Sequence, residues 1–182
     1  MEKQAEVERD SPGQTMASWR NLSTSDIKSL ARVADKVHPS LPERDEVFLE
    51  RVTLFPDGCL GLVEPGSDEL CGYAISHPIK YRHPPTLNHL LGNIASDADQ
   101  YYIHDLAILP KFRGHDLARG CIEKLLDVAK RYRTTCLISV YGTEQFWGHF
   151  GFVKVEVDEV LRKKLLEYGD DAKYLERKNG GC

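Results

Sequence analysis

Long hydrophobic segments are absent from this sequence of 182 residues. No apolar run approaches the roughly 20 residues that a membrane-spanning helix needs, so we expect no membrane partner. Residues 1–15 are polar and charged and lack the apolar core of a secretion signal. We therefore expect residues 1–16 to form a disordered lead and the protein to be cytoplasmic, with the nucleus as the alternative.

Closely spaced cysteines are absent too. The cysteines number five, and none of them belongs to a CxxC pair: Cys59, Cys71, Cys121, Cys136 and Cys182. This spacing argues against a structural zinc site, and the lack of a secretion signal favours reduced thiols. The first four lie in apolar stretches and are expected in the core. His83 and His89 are placed in a predicted loop, and we expect no metal.

Excess charge of either sign is small. The sequence has 24 Lys and Arg against 28 Asp and Glu, a net charge of −4, so nucleic acid is not expected as a partner. Hydrophobic residues make up 41% and charged residues 29%, which is typical of a globular domain. The length suits one domain, which we place at residues 17–178, with a flexible tail at 179–182.

Hydrophobic periodicity predicts a mixture of helices and strands. Helices are predicted at residues 27–37, 43–55, 121–132, 144–150 and 160–166. Strands are predicted at residues 18–22, 59–63, 70–75, 101–109, 135–140, 152–157 and 172–178, the last at a sheet edge. A helical turn is expected at Leu87, Leu90 and Leu91, within the long segment 77–98. The mixture indicates an α/β (α+β) domain around one mixed sheet.

A basic turn lies between the predicted strand 101–109 and the predicted helix 121–132. It runs from Arg113 to Arg119 and contains one glycine, Gly114. The first turn of a helix has unpaired N–H groups and a positive dipole end, where phosphates bind. The sequence therefore predicts a phosphate-bearing cofactor. A different nucleotide-phosphate enzyme is the least favoured reading, because one glycine fits the GxGxxG and GxxxxGK[ST] loops poorly.

The segment from Tyr101 to Val153 resembles the GNAT superfamily of acyl-CoA-dependent N-acyltransferases. The family hallmark, Arg/Gln-x-x-Gly-x-Gly/Ala at a helix start, is matched by Arg113-Gly114-His115-Asp116-Leu117-Ala118, five residues after the strand position Ile108. A second family segment, Phe-Tyr-x-x-x-Gly-Phe, is matched by residues 146–152. The resemblance implies a single domain with a mixed, mostly antiparallel central sheet flanked by helices.

The resemblance also implies acetyl-CoA as co-substrate. Backbone groups of Leu106, Ala107 and Ile108 would bind the pantetheine arm like an added strand. The pyrophosphate would bind the turn that is formed by Arg113, Gly114, His115, Asp116, Leu117, Ala118 and Arg119. Phe146 and Trp147 of the second segment would also contact the cofactor.

Two residues depart from the family pattern. Asp116 replaces the usual second glycine, and an inward carboxylate there would oppose the phosphates; we favour an outward side chain that caps the helix starting at Leu117 or Ala118. Trp147 stands where the family often has a tyrosine that protonates the leaving thiolate. Tryptophan cannot do so near neutral pH, so another group or solvent must supply that proton.

The strand 101–109 carries the candidate catalytic residues. A period of two places Tyr102, His104, Leu106 and Ile108 on one face and Tyr101, Ile103, Asp105 and Ala107 on the other. Histidines occupy the positions matching Tyr102 and His104 in the serotonin N-acetyltransferase branch of the superfamily. His104 is therefore the candidate general base, and a hydrogen-bonded core histidine is the alternative.

Other residues are weaker candidates for proton transfer. Asp105 is the rival base, although an ion pair with a nearby Lys or Arg is the favoured explanation of a buried carboxylate. Tyr141 and Tyr102 are candidate acids for the thiolate, and packing is the alternative role of both. The backbone N–H of Ile108 is the oxyanion donor that the resemblance implies.

The leading hypothesis is an N-acetyltransferase that acts on a primary amine, namely a small amine, polyamine or amino acid. The alternative is an acyl-CoA-binding regulatory module without turnover, which Asp116 and Trp147 would permit. Substrate walls are expected at residues 38–44, 77–98 and beyond 157. They include acidic residues suited to a cationic amine (Glu43, Asp45, Asp97 and Asp99) and tyrosines suited to an aromatic one (Tyr81, Tyr101 and Tyr102). A monomer and a homodimer both remain open.

Overall fold

One mixed sheet of seven strands organises the computed structural model, which describes residues 17–114 and 116–180. The strands are β1 (Ser18–Asn21), β2 (Cys59–Val63), β3 (Leu70–Ile79), β4 (Gln100–Ile108), β5 (Thr134–Ser139), β6 (Val153–Lys154) and β7 (Lys173–Lys178). Their order is β1-β2-β3-β4-β5-β7-β6, and all neighbours are antiparallel except the parallel pair β4–β5. The prediction of a mixed, mostly antiparallel sheet is confirmed.

Helices cover both faces of the sheet. They are α1 (Ile27–Val37), α2 (Asp45–Leu54), α3 (Leu117–Ala129), α4 (Glu144–Gly148) and α5 (Glu159–Leu165). Side chains of α1 and α2 pack with Tyr73 and Ile75 of β3, whereas those of α3 pack with Ala74 of the same strand. Because alternate strand residues point to opposite faces, α1 and α2 lie on one side of the sheet and α3 on the other.

A β-bulge interrupts β4 at its centre. Asp105 pairs with Ile75 of β3 and Ile103 pairs with Ser76, so His104 is an extra residue. The extra residue shifts the alternation, and Leu106 therefore joins the α3-side core with Ile103. The prediction that a strict period of two puts His104 and Asp105 on opposite faces is wrong, because both side chains contact the α1–α2 connection.

The parallel strands β4 and β5 separate partway along their length. Their pairing covers only Gln100–Ile103 against residues 134–137, while β4 continues to Ile108 and β5 to Ser139. Beyond Ile103, the side of β4 that faces away from β3 is therefore open. This gap is the feature of the fold that positions the candidate site.

Other local expectations are corrected by the tertiary structure. Strand β7 lies between β5 and β6 rather than at the edge, and the strand predicted at 152–157 is reduced to Val153–Lys154. Asn179, expected at the start of a flexible tail, is buried and its amide donates to Ala129 O at 2.8 Å and Tyr132 O at 2.9 Å. The expected lead at residues 1–16 lies outside the described residues.

The long segment 80–98 contains no helix or strand, so the predicted helical turn at Leu87, Leu90 and Leu91 is wrong. Carboxylates from α2 and its N-terminal side bind its backbone instead. Glu50 accepts N–H bonds from Leu91 at 2.7 Å and Gly92 at 2.8 Å, and Glu43 accepts one from Asn88 at 3.1 Å. Within the described ranges, no helix has the length and apolar character needed to cross a bilayer.

Candidate active site

A cleft of about 1070 Å³ opens where β4 and β5 separate. Its walls are the end of β4, the connection between α1 and α2, the start of α3, the end of β5 and helix α4. Predicted site residues on the lining are His104, Asp105, Leu106, Ile108, Arg113, Gly114, Asp116, Leu117, Ala118, Arg119, Tyr141, Phe146 and Trp147. Predicted site residues from positions as far apart as 104 and 147 thus line the same cleft.

One end of the cleft is the anion turn, which we define as residues 113–119. Helix α3 begins at Leu117, so the N–H groups of its first turn have no partners within the helix. Gly114 and Asp116 both have left-handed backbones, with φ of 85° and 54°. Asp116 is at the N-cap position as predicted, but its exposed side chain makes no capping hydrogen bond.

The left-handed backbone explains why the family pattern has glycine at the place of Asp116. Glycine adopts this conformation without strain, and aspartate is one of the few other residues that visit it routinely. The carboxylate nonetheless remains beside the helix start, where an anion would bind.

Each arginine of the anion turn makes a contact with a neighbouring part of the protein. Arg113 Nε donates to Ile108 O at 2.9 Å, which joins the turn to the end of β4. The Arg119 guanidinium lies over the Phe150 ring at 5.4 Å. Both residues are exposed and line the cleft, so their charge is available to a bound anion. His115 lies outside the described residues.

The end of β4 forms the floor of the cleft. Leu106, Ala107 and Ile108 pair with β3 on one side and have no β5 partner on the other. Ala107 is buried against α1, whereas Leu106 and Ile108 line the cleft. An extended chain could therefore be added to the open side of β4.

The other end of the cleft holds two carboxylate–histidine pairs, which we call the dyad region (His38, Glu43, His104 and Asp105). In the first pair, His104 Nε2 lies 2.7 Å from Glu43 Oε1, and the two side chains are only 2% and 5% exposed. Burial acts to raise the pKa of Glu43, but the charge and hydrogen bond of His104 outweigh it and hold that pKa below its ordinary value.

The Glu43 carboxylate sets the orientation of His104. A carboxylate accepts the Nε2–H, which leaves the lone pair of the neutral ring on Nδ1. Nδ1 is buried and has no protein partner in the described structure. This is the arrangement a general base requires, with one nitrogen fixed and the other free.

In the second pair, His38 Nε2 lies 3.0 Å from Asp105 Oδ1, and the Tyr73 hydroxyl donates to Oδ2 of the same carboxylate. Burial acts to raise the pKa of Asp105, yet His38 and Tyr73 together hold it below its ordinary value. Burial acts to lower the pKa of His38, yet Asp105 raises it above its ordinary value. The expected Lys or Arg partner of Asp105 is therefore wrong; its partner is a histidine.

Tyr141 closes the dyad region from the β5 side. Its ring stacks on His38 with centroids 5.6 Å apart and planes 10° apart, and its hydroxyl lies 3.2 Å from Ser40 Oγ. Its backbone is left-handed, with φ of 54°, and the side chain is about half exposed. Tyr141 thus links the end of β5 to the α1–α2 connection.

Tyr102 lies behind the cleft rather than on its lining. It is fully buried in a cluster with Cys136, Leu161 and Tyr174, and its hydroxyl has no hydrogen-bond partner in the described structure. Burial raises the pKa of Tyr102 well above its ordinary value. The neighbouring His77 is also buried, and desolvation lowers its pKa to about 3, so its ring is neutral.

The substrate walls differ in part from the expectation. Of the predicted acidic residues only Glu43 lines the cleft, and none of Tyr81, Tyr101 and Tyr102 does. Segment 77–98 contributes Leu87, and the region after 157 contributes Tyr168. From the sequence, His38 and Glu43 are expected only in a substrate wall. Their contacts with Asp105 and His104 could not be predicted, because these partners are more than sixty positions away in the chain.

Phe146 is about one third exposed. Trp147 is buried and packs against Phe146 and Phe152. Its indole offers no proton to a thiolate. Across the described part of the chain, no three His, Cys, Asp or Glu side chains form a group that could hold a metal ion.

Solved structures share this fold, and two of the following three contain a CoA ligand. The GphF GNAT-like decarboxylase in complex with isobutyryl-CoA is 16% identical, with a TM-score of 0.71 over 90% of this chain and 100% of that one. The loading GNATL domain of CurA from Lyngbya majuscula is 13% identical, with a TM-score of 0.74 over 90% and 98%. Arabidopsis thaliana Naa50 in complex with the bisubstrate analogue CoA-Ac-MVNAL is 12% identical, with a TM-score of 0.67 over 90% and 99%.

Sequence comparison is consistent with the fold. No curated protein sequence matches the chain. The model of the acetyltransferase (GNAT) family matches residues 20–152, which include β4, the anion turn and α4. By its sequence match, its sheet topology and its cleft, the chain belongs to the acetyltransferase (GNAT) family.

Proposed function

We propose that the protein transfers an acetyl group from acetyl-CoA to a primary amine. One observation carries the proposal: the anion turn and the buried His104–Glu43 pair open onto the same cleft. They lie at opposite ends of the part of β4 that has no β5 partner. A phosphate-binding end and a proton-accepting end joined by a strand edge are what acyl transfer from a CoA thioester requires.

Acetyl-CoA would bind along the open side of β4. The amides of Leu117, Ala118 and Arg119 and the side chain of Arg113 are available to the pyrophosphate. Backbone groups of Leu106 are available to the pantetheine arm, whereas the Ile108 carbonyl already accepts a hydrogen bond from Arg113 Nε. The isobutyryl-CoA bound to GphF and the CoA analogue bound to Naa50 support this class of ligand.

His104 would act as the general base. Nδ1 accepts a proton from the substrate ammonium, directly or through water, and Glu43 stabilises the imidazolium that forms. The free amine attacks the thioester carbon, and the N–H of Ile108 stabilises the oxyanion. The C–S bond then breaks and gives an acetamide and the CoA thiol.

The acceptor is a small amine, polyamine or amino acid. The cleft wall around the dyad region is formed by residues of the α1–α2 connection together with Leu87 and Tyr168. Both carboxylates in it, Glu43 and Asp105, are paired with histidines. We therefore place recognition of the amine in the shape of this wall and in hydrogen bonds rather than in an unpaired carboxylate.

A calorimetric titration followed by a turnover assay tests the proposal. Acetyl-CoA is titrated into the protein, and a panel of primary amines is then screened with release of the CoA thiol as the readout. We expect sub-millimolar binding and turnover of at least one amine class. Absence of binding at that concentration contradicts the proposal. Binding without transfer to any amine supports the alternative, a regulatory acyl-CoA-binding module, which Trp147 in place of the usual tyrosine favours.

A further inference from the structure

The cleft contains more proton-transfer machinery than one general base needs. The bulge in β4 puts two consecutive residues, His104 and Asp105, on the same face, and each forms a carboxylate–histidine pair with the α1–α2 connection. His104 supplies the histidine of one pair and Asp105 the carboxylate of the other. The second histidine, His38, is without a role in the reaction described so far.

The position of His38 points to the leaving group. Its ring stacks on Tyr141, which follows the end of β5, while its Nε2 faces Asp105 on β4. It therefore bridges the two strands over the gap between them. Both ring nitrogens of His38 are buried and neither has a hydrogen-bond partner in the described structure, so Nε2 meets Asp105 only as a 3.0 Å ion-pair contact and Nδ1 has no contact of this kind. Under the proposed function the thioester lies in this gap, next to the open edge of β4.

We propose that the His38 imidazolium protonates the departing CoA thiolate. Trp147, which stands where the family often has a tyrosine for this role, has no acidic proton to give. The inference rests on the proposed function. When the tetrahedral intermediate collapses, the C–S bond breaks and its electron pair moves to sulfur. The Nδ1 proton of His38 is transferred to that sulfur, which gives the thiol and a neutral imidazole. The nitrogen of the intermediate, which becomes cationic when the C–N bond forms, loses its second proton to solvent. His38 regains a proton from solvent and His104 releases the one it took from the ammonium, so the net products are the acetamide, the CoA thiol and one proton.

The charges around His38 suit an acid. Asp105 on β4 faces its Nε2 and is itself held by Tyr73 of β3, and Glu43 adds negative charge from the α1–α2 connection. Arg113 of the anion turn acts in the opposite direction, and Tyr141 contributes a neutral ring. Burial lowers the pKa of His38, but the Asp105 carboxylate outweighs it and raises that pKa above the ordinary value. The ring is therefore charged over a wider pH range than a free histidine.

The test is the pH profile of kcat at saturating acetyl-CoA and amine, measured for wild type, His38→Gln, His104→Gln and Asp105→Asn. One amine is used throughout, so that its own titration is common to all profiles. His83→Gln is the matched control, because His83 is exposed and lies away from the cleft. Thermal melting of each variant checks that the fold is retained.

We expect a bell-shaped wild-type profile whose alkaline limb reports the acid and whose acidic limb reports the base. His38→Gln should lose the alkaline limb and fall by about 10²-fold in kcat at neutral pH. His104→Gln should lose the acidic limb instead. Asp105→Asn retains the shape of the pair but removes its charge, so the alkaline limb should move to lower pH. His83→Gln should match wild type.

Each contrary result has a definite meaning. A His38→Gln variant that keeps its alkaline limb overturns the inference, whatever its rate, and leaves the proposed function intact. Loss of the acidic limb in that variant would make His38 a base and also overturn it. If His38→Gln does not fold, an unmoved alkaline limb in Asp105→Asn overturns it. If wild type binds acetyl-CoA but transfers to no amine, the proposed function fails, and this inference fails with it.

Discussion

The two ends of the cleft use opposite physical strategies. The anion turn offers backbone N–H groups and two exposed arginines, so its charge is available to a ligand and screened by salt. The dyad region largely removes two carboxylates from solvent and pairs each of them with a histidine. We therefore expect substitutions in the anion turn to change the affinity for acetyl-CoA modestly, whereas substitutions in the dyad region should change rate, pH dependence or stability strongly.

The largest expected effect is on turnover. Replacing His104 with alanine should lower kcat by about 10²–10⁴-fold, because the general base is lost. The dissociation constant of acetyl-CoA should change little, because the anion turn is untouched. Steady-state kinetics and calorimetry on the same sample check both values. A loss of less than tenfold would make His104 a packing residue and remove the functional contrast between the two ends.

The next effect is on the free energy of unfolding. His77 is buried beside His104 of the dyad region and should make this free energy depend on pH. Burial, with help from His104 and Arg51, holds the pKa of His77 at about 3, below its usual 6.5. As pH falls below 6.5 the unfolded chain gains this proton and the folded chain does not, so stability is lost until pH approaches 3. The free energy of unfolding should therefore be about 2–3 kcal/mol lower at about pH 4.5 than at about pH 7.

The variant His77→Asn isolates this contribution. Urea denaturation at the two pH values should show a smaller pH dependence in the variant than in wild type, by about the amount above. His83→Gln, at an exposed histidine, serves as the control and should keep the wild-type dependence. Equal pH dependence in wild type and His77→Asn would mean that the buried ring is not what makes this region sensitive to acid.

The two ends also differ in how far the sequence predicts them. The anion turn is contiguous, and its chemistry comes from backbone N–H groups, a helix start and two arginines, all of which are visible in residues 113–119. The dyad region joins residues 61 and 67 positions apart, and its geometry depends on a bulge at His104 that strand periodicity cannot reveal. The family resemblance therefore identified His104 as the candidate base, but strand periodicity assigned His104 and Asp105 to opposite faces, and Asp105 was given the wrong partner.

The same reason explains the errors elsewhere in the fold. The order of β7 and β6 is set by pairing between distant strands, and segment 80–98 is shaped by carboxylates of Glu43 and Glu50 rather than by its own leucines. Sequence periodicity reports which faces are apolar, but it carries no information on such long-range polar contacts.

A smaller effect is expected at the anion turn. Arg119→Ala removes an exposed charge that a pyrophosphate would contact, and should raise the dissociation constant of acetyl-CoA by about tenfold at low salt. The kcat at saturating substrate should remain near the wild-type value. The matched control is Arg131→Ala, since Arg131 lies past the other end of α3 and pairs with Asp57. A large loss of kcat in Arg119→Ala would contradict the separation of binding from proton transfer.

The smallest effect, and the sharpest test of the anion turn, comes from Asp116. Asp116→Asn removes a negative charge beside the helix start and retains a side chain that tolerates the left-handed backbone, whereas Asp116→Gly removes both the charge and the strain. Both variants should bind acetyl-CoA about two- to fivefold more tightly at low salt, and the gain should shrink at high salt because exposed charges are screened. If only the glycine variant gains affinity, the left-handed backbone is the relevant feature and the carboxylate points away from the phosphates. If neither variant gains, the anion turn does not bind the charged part of the ligand, and the contrast between an electrostatic end and a buried proton-transfer end no longer holds.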